Sequence, residues 1–511
     1  MADTAVVGAA TLLSRILGFL RNAVVSAFFG QGWKADVLNT VFNIPMNLRK
    51  LVAEGALSTA FIPVLSQSLV DDPTRVRARQ LVRAIFSLQI VVLLPLTVLS
   101  IVFAPQIIAL LAPFGGIAEK QDLAVNLFRW FIGFLFLVSW SAVMMAVENT
   151  HRQFVIPAVS PLLFSLAVIV SLFLWAPTWG VYAQVPGVLV GGLLPILLQW
   201  IPLRKLGYSM KPLLHFQIPE LKQTLKKWVP ALMTSGIALL NQQISMTLAT
   251  VLHEGSASAL SNAIVFWQLP AGVLSASVIT VFFPRMSRLN AGGDHLGAKR
   301  ALFQGLELQA LLLIPASVLL TLFSEPVIAL AFQRGLYTYQ DSQLAARVLS
   351  WLSGGLFFAG IFSFLQRYFY SRGNFRTPFL VSLVWAASDV VISVIMMQTS
   401  WGVVGLALGS VVGYVVGAII LLILIAQKES DVPLGHFVWF VIRVGLACLP
   451  LVWGYLSLSP EIGNWWSRGM TLTSVFLFLA EGCGALVLLT VGLLAVGIFP
   501  WRYLRTKGSQ K

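Results

Sequence analysis

Charge is what this chain has least of: Asp, Glu, Lys and Arg make up 10% of its 511 residues, against about 25% in a soluble globular domain. Hydrophobic residues make up 58%. Water is therefore excluded as the main solvent, and no polar stretch is long enough for a soluble domain. Cysteine is almost missing as well. Cys448 and Cys483 both lie in apolar segments, which argues against a disulfide framework or a cysteine metal site and leaves packing or lipid-facing roles. The five histidines, His151, His215, His253, His295 and His436, are scattered and show no ligand spacing. A Walker loop and a dinucleotide-binding glycine pattern are both absent. The one pair of acids that shares a face within an apolar segment, Asp36 and Glu54, has basic neighbours. These absences argue against an enzyme, a cofactor and ATP-driven work, and leave an ion gradient or the membrane potential as the energy source. A cleavable leader is not expected either, because Arg15 and Arg21 interrupt the first apolar run.

Apolar runs of about 20 residues, enough to cross a roughly 30 Å hydrocarbon core, recur from end to end. They are continuous, without alternation at period two, so the expected fold is an all-α polytopic membrane protein. Fourteen transmembrane helices are expected near 7–30, 36–68, 84–112, 123–149, 155–176, 180–203, 228–252, 257–284, 302–330, 343–370, 378–397, 402–426, 437–458 and 470–499. The net charge of +15 would suggest nucleic acid in a soluble protein, but its placement gives another meaning. Loops after even-numbered spans carry Arg75, Arg77, Arg79, Arg83, Arg204, Lys205, Lys222, Lys226, Lys227, Arg372 and Arg376, whereas the opposite loops carry chiefly Lys34, Lys120, Arg334 and Arg468. The positive-inside rule places the first set and both termini in the cytoplasm. A multi-pass protein of the bacterial inner membrane is expected, with no nucleic-acid partner.

The chain also repeats itself. Phe61-Ile62-Pro63 matches Phe282-Phe283-Pro284, Pro105 matches Pro326, and Phe154 through Pro157 matches Phe375 through Pro378, each at an offset of 221; Trp179-Gly180-Val181 then matches Trp401-Gly402-Val403 at 222. Six spans make an even number, so both copies enter the membrane from the same side as parallel repeats, an architecture of alternating-access transporters. The expected organisation is a six-helix lobe over 1–215, a second over 216–430, and two further helices with a cytoplasmic tail over 431–511. Gly187 and Gly191, repeated as Gly409 and Gly413, read as helix-packing positions.

Ionisable residues within membrane spans are functional candidates, since a charge there is expensive to keep. Here they cluster in the first two spans: Arg15, Arg21, Asp36, Arg49, Lys50 and Glu54. At about 100° per residue, Gly18 falls midway between Arg15 and Arg21, so two planar guanidinium forks flank a bare backbone, a geometry suited to phosphate. The alternative is that Arg15 and Arg21 snorkel or pair with Asp36 and Glu54, and two pairings leave two cations over. On span two, Asp36, Asn39, Asn43, Asn47, Lys50 and Glu54 form one polar stripe if helix phase survives Pro45, and it should face water or a polar substrate; Pro45 should bend or unwind the helix. Neutral polar groups on spans seven and eight, among them Asn241, Gln243, Ser258 and Asn262, are expected to face it. Asp389, the one acid deep in span eleven, reads equally as a site for a coupling cation (Na⁺ or H⁺) and as a structural hydrogen-bonding group.

Ser14 through Arg21, the segment from Asp36 through Pro45 to Arg49, Ala53-Glu54-Gly55-Ala56, Ala60 through Pro63, and Phe369-Tyr370-Ser371 with Arg376-Thr377-Pro378 resemble the MurJ family of lipid II flippases. The resemblance implies a V-shaped central cavity for the diphosphate-sugar-peptide headgroup and a groove with the last two spans for the polyprenyl tail. It also implies lipid II as substrate, membrane lipids as neighbours and the cell-wall synthesis machinery as a partner. By position it assigns substrate handling to Ser14, Arg15, Arg21, Asp36, Arg49 and Glu54, with Lys50 as an added cation, and places Arg443 at the tail groove. Two departures stand out: Pro45 precedes Met46 where the family usually has asparagine, and Val265 occupies the position of a cavity arginine. A related exporter of drugs or of another polyprenyl-linked oligosaccharide is the alternative, and a lipid-binding enzyme or scaffold of wall synthesis is a third reading.

Overall fold

The computed structural model describes residues 2–50, 56–213, 216–429, 433–457 and 471–498, and every regular element among them is helical. In chain order these are α1 (Ala2–Phe29), α2 (Trp33–Arg49), α3 (Ala56–Asp71), α4 (Val76–Val102), α5 (Ala104–Leu111), α6 (Ala118–Thr150), α7 (Val155–Trp179), α8 (Gln184–Lys205), α9 (Pro219–Ala249) and α10 (Ser256–Pro270). They continue as α11 (Ala276–Ala291), α12 (His295–Leu322), α13 (Ser324–Phe332), α14 (Tyr339–Gly354), α15 (Leu356–Ser371), α16 (Arg376–Met397), α17 (Val403–Lys428), α18 (Leu434–Ala447), α19 (449–457) and α20 (Leu472–Ala495). Among the described residues nine helices are long and apolar enough to cross a membrane, ten if the bent pair α14–α15 is one span. That is fewer than the fourteen expected. All fourteen stretches are helical where described, but α2 and α3 flank residues outside the description, and others are broken or carry polar turns.

The breaks follow from sequence. Pro105 and Pro326, matched by the repeat, sit in the first turns of α5 and α13, where a missing N–H costs nothing and a new helix can start. Each break lies next to a phenylalanine whose amide still bonds four residues back, Phe103 to Leu99 and Phe323 to Leu319, both at 2.8 Å. Span ten is bent by 44° at Gly354–Gly355. There α17 comes close: a Cβ on Gly355 would lie 2.9 Å from Cγ2 of Val411. Pro45, by contrast, is held within continuous α2; the expected unwinding does not occur there.

The chain divides into two compact units, Met1–Ser258 and Ala259–Lys511. In the first, Phe128, Phe131 and Phe134 of α6 and Phe164 of α7 form the centre of one buried cluster. Phe61, Phe86, Val147 and Tyr208 belong to a second. Helix α9 packs on α3, with further contacts to α2, α4 and α5, inside this same unit. In the second unit, Phe332, Phe364 and Tyr368 are among the largest fully buried side chains, and α19 and α20 pack Leu451 and Ala485 against Phe323.

The repeated glycines are packing positions in both units. A Cβ on Gly187 would lie 2.7 Å from Cα of Val168 on α7, and one on Gly409 would lie 2.7 Å from the Asp389 carbonyl on α16. Each unit is also tied at one end by a polar pair at equivalent positions. His151 Nε2 lies 2.9 Å from the Tyr208 hydroxyl, and Arg372 forms an ion pair with Glu429, so each residue of the second pair follows its counterpart by the repeat offset of 221. Burial and the nearby Arg75 hold the His151 imidazole below its ordinary pKa of 6.5, and burial raises that of Tyr208.

Candidate functional site

Helix α1 runs without interruption from Ala2 to Phe29, so the helical phase that separates Arg15, Gly18 and Arg21 is preserved. A Cβ on Gly18 would meet nothing within 4 Å, and the backbone between the two arginines is open to a ligand. Arg15 is exposed, Ser14 half-buried and Arg21 half-buried. The Arg21 guanidinium is held in place: Nη2 donates to Oδ1 of Asn22 at 3.0 Å, and Cζ lies 5.2 Å from the ring centre of Phe164 and 5.9 Å from that of Phe42. Those two rings stack at 4° to each other. Aromatic faces attract a cation without using up its hydrogen-bond donors, so the fork is positioned while donors are left for a ligand. Arg49, at the end of α2, is near enough to Arg21 for the two charges to repel.

The polar stripe of α2 is occupied differently from the sequence-based expectation. Asp36 is 7% exposed, and both carboxylate oxygens are engaged: Oδ2 accepts from the Gly255 amide at 2.6 Å and Oδ1 from the Ser258 amide at 2.8 Å. These amides open α10, where the first N–H groups of a helix have no partner of their own. Gly255 cannot cap them, having no side chain, and it adopts φ +85° with Gln31 O only 2.7 Å from where a Cβ would be. Asp36 therefore supplies the capping carboxylate from another helix, an interaction that the dipole of α10 also favours. Asn39 Nδ2 donates to Ser258 Oγ at 3.1 Å, and Asn47 Nδ2 donates to Gln243 Oε1 at 3.2 Å. Lys120 and Glu254 form an ion pair at 2.9 Å beside this junction. Of the expected partners on spans seven and eight, Gln243 and Ser258 meet the stripe, as hydrogen bonds between helices more than as a wet surface; Asn262 instead donates to the Tyr337 hydroxyl at 3.5 Å. Asn43 and Lys50 stay half-buried. Glu54 lies outside the described residues.

The other candidates lie apart in the sequence. Asp389, 1% exposed, accepts from Ser393 Oγ at 3.1 Å and Ser410 Oγ at 3.0 Å, which ties α16 to α17. Arg443 of α18 donates through Nε to the Val496 carbonyl at 3.1 Å; it caps the exposed carbonyl end of α20, where Gly497 turns the chain at φ +72°. Val265 is half-buried on α10. Among the described residues no three His, Cys, Asp or Glu side chains are grouped to hold a metal. Sequence reasoning missed Asn22, Phe42 and Phe164 as the seat of Arg21. Only the adjacency of Asn22 was visible in the sequence.

The profile of the family described as lipid II flippase MurJ matches residues 25–476. A probable lipid II flippase MurJ of Borreliella burgdorferi is 29% identical over 506 residues, covering 99% of this chain and 98% of its own. One of Bdellovibrio bacteriovorus is 30% identical over 91% of this chain and 89% of its own. A solved lipid II flippase MurJ in an inward closed conformation superposes with a TM-score of 0.76 at 24% identity over 95% of this chain and 97% of that one. An inward-facing multidrug transporter of the MATE family, in the MOP superfamily, superposes at 0.68 and 14% identity over 82% and 95%, which shows a shared fold and no more. The extent of the family match settles the assignment: this polytopic membrane protein belongs to the MurJ family of lipid II flippases.

Proposed function

We propose that this chain moves lipid II, the polyprenyl-diphosphate-linked peptidoglycan precursor, from the cytoplasmic to the periplasmic leaflet of the bacterial inner membrane by alternating access, and that it is a transporter without catalytic chemistry. The observation that carries the reading is the pair Arg21 and Arg49, with Arg21 seated on two aromatic rings beside the open backbone of Gly18. A diphosphate suits such an arrangement, because each guanidinium can make two parallel charge-assisted bonds to its oxygens. Arg15 adds a third fork on the same helix, and Ser14 and Lys50 supply further donors. Asp36 contributes by fixing the start of α10 and so the wall of the site. Both termini lie in the cytoplasm on this reading, and Arg443, by holding the end of α20, shapes the groove for the lipid tail. Asp389 with Ser393 and Ser410 is the site through which a Na⁺ or H⁺ gradient would be coupled. The cell-wall synthesis machinery would be the consumer of the product.

The reading is tested by expressing the chain in a bacterium depleted of its own flippase. Rescue of growth, with lipid II reaching the outer leaflet, is the expected result. Failure to rescue while lipid II accumulates in the inner leaflet, with the protein present in the membrane, would overturn it.

A further inference from the structure

Helix α14 carries polar side chains on a face that takes no part in the arginine site. Gln343, Ala346, Arg347 and Ser350 recur at helical spacing and so share one side of the helix, and together with Ser324 and Glu325 of α13 they line a cavity of about 460 Å³. Its floor is tied down. Thr321 of α12 donates to the Ser350 carbonyl at 3.2 Å, and the Ser324 hydroxyl donates to the Thr321 carbonyl at 3.0 Å. Its acid is oriented as well, because the Tyr339 hydroxyl donates to Oε1 of Glu325 at 2.6 Å. Gln343 and Arg347 are exposed and Glu325 is half-buried, so the cavity is open at its charged end. One cation and one anion line it, yet among the described residues Arg347 and Glu325 form no ion pair with each other. Opposite charges kept apart in one cavity complement a ligand that carries both signs a few atoms apart.

The depth of the cavity in the membrane points to a lipid. Trp351, one turn beyond Arg347 on α14, meets Trp401 edge-on with ring centres 5.0 Å apart. Trp401 lies in the turn between α16 and α17, on the same membrane face as the turn between α13 and α14, because two spans separate the turns. Both tryptophans are exposed, and exposed tryptophans collect where hydrocarbon meets headgroups. Arg347, one turn further out, is at headgroup depth. Gly354 follows on the same side of α14, exposed and with nothing within 4 Å of where a Cβ would be. An open apolar strip therefore runs from Arg347 past Trp351 towards the membrane centre.

We propose that this cavity binds a phospholipid whose headgroup joins a phosphate to a primary ammonium, of the phosphatidylethanolamine class. Arg347 would take the phosphate through two parallel bonds, Glu325 would accept from the ammonium, and an acyl chain would lie on the strip along Trp351 and Gly354. Phosphatidylcholine keeps both charges but has no N–H to give to Glu325. Phosphatidylglycerol has the phosphate but puts no cation beside the carboxylate. None of these side chains is assigned to lipid II, so the proposal is independent of the transport function.

The test places the full chain in phosphatidylcholine nanodiscs doped with brominated-chain phosphatidylethanolamine, phosphatidylglycerol or phosphatidylcholine. Quenching at Trp351 is taken as the difference between the wild-type chain and Trp351→Phe. Phosphatidylethanolamine should be enriched at Trp351 about ten-fold or more over either of the other lipids, the scale of one charge-assisted hydrogen bond. Glu325→Gln keeps an acceptor for the Tyr339 hydroxyl and should bring phosphatidylethanolamine down to the level of phosphatidylglycerol, whereas Arg347→Gln, at an exposed position, should weaken the binding of all three. Equal enrichment of phosphatidylethanolamine and phosphatidylglycerol in the wild-type chain, or a preference that survives Glu325→Gln, would overturn the proposal. Relief of the quenching by soluble glycerophosphoethanolamine at the concentration of the lipid would assign the cavity to a free solute and overturn it as well.

Discussion

Replacing Arg21 separates a phosphate ligand from a generic positive charge. The guanidinium is positioned by the Asn22 amide at 3.0 Å and by the rings of Phe164 and Phe42, so its fork is fixed before the ligand arrives. A lysine would keep the charge but offer a single ammonium where the arginine offers two parallel donors. One charge-assisted bond contributes about 1.5–3 kcal/mol, and with about 1.4 kcal/mol per decade Arg21→Lys should weaken headgroup binding by roughly 10- to 150-fold. Arg21→Ala removes both bonds and the charge, and should abolish detectable binding. Asn22→Ala keeps the fork but frees its orientation, so a loss of a few-fold is expected. The assay is equilibrium binding of soluble diphosphate-sugar-peptide headgroup to the purified variants, with Arg79→Lys, exposed in the first turn of α4, as control. Equal affinity for wild type, Arg21→Lys and Arg79→Lys would show that only net charge matters and would refute the fork argument.

Three further outcomes follow from the geometry. Asp36→Asn leaves an amide N–H₂ facing one of the two backbone donors at the start of α10, so the loss should be about 1.5–3 kcal/mol; thermal unfolding in detergent should show a lower midpoint, and an unchanged midpoint would argue against the capping role. Asp389→Asn removes the carboxyl group that accepts from Ser393 and Ser410, and transport should lose its response to sodium or to pH, whichever ion is coupled; retention of both responses excludes the site. Because the folded protein holds His151 below its ordinary 6.5, the unfolded chain binds more protons as pH falls, and stability should be full above about 6.5 and decline below it. His151→Gln should flatten that slope in thermal melts taken between pH 5 and pH 8, and an unchanged slope would dissociate the histidine from it.

Much of the fold was legible because burial in lipid leaves a continuous apolar run no choice but helix. The repeat was legible for the same reason that it is kept: Pro105 and Pro326 start new helices, and Gly187 and Gly409 admit a neighbouring backbone. What the prolines do was harder to read. Pro45 looked like a break and is not one, because α2 carries it in a continuous helix, whereas the bend at Gly354–Gly355 has no proline and depends on the approach of Val411. Within the site, Arg21 and Arg49 could be picked out as cations in an apolar setting, but the seat of Arg21 could not. Phe42 and Phe164 come from α2 and α7, and nothing in their spacing distinguishes them from core phenylalanines. Asp36 misled in a similar way, since its partners are backbone amides 219 and 222 residues away and an amide leaves no mark in a sequence. Ser393, four residues after Asp389 on the same helix face, was visible in principle, whereas Ser410 on α17 was not.

The central claim is that the chain itself carries the headgroup of lipid II across a bilayer by means of the first-unit arginines. The direct measurement reconstitutes the purified full-length chain into liposomes with lipid II confined to one leaflet and follows the arrival of the headgroup in the other, using a membrane-impermeant reagent specific for it. The account predicts arrival well above the rate in protein-free liposomes for the wild-type chain, and a return to the protein-free rate for Arg21→Ala and Arg49→Ala at equal protein incorporation. A wild-type rate no faster than protein-free liposomes under either ion gradient, or an undiminished rate in both arginine variants, would contradict it.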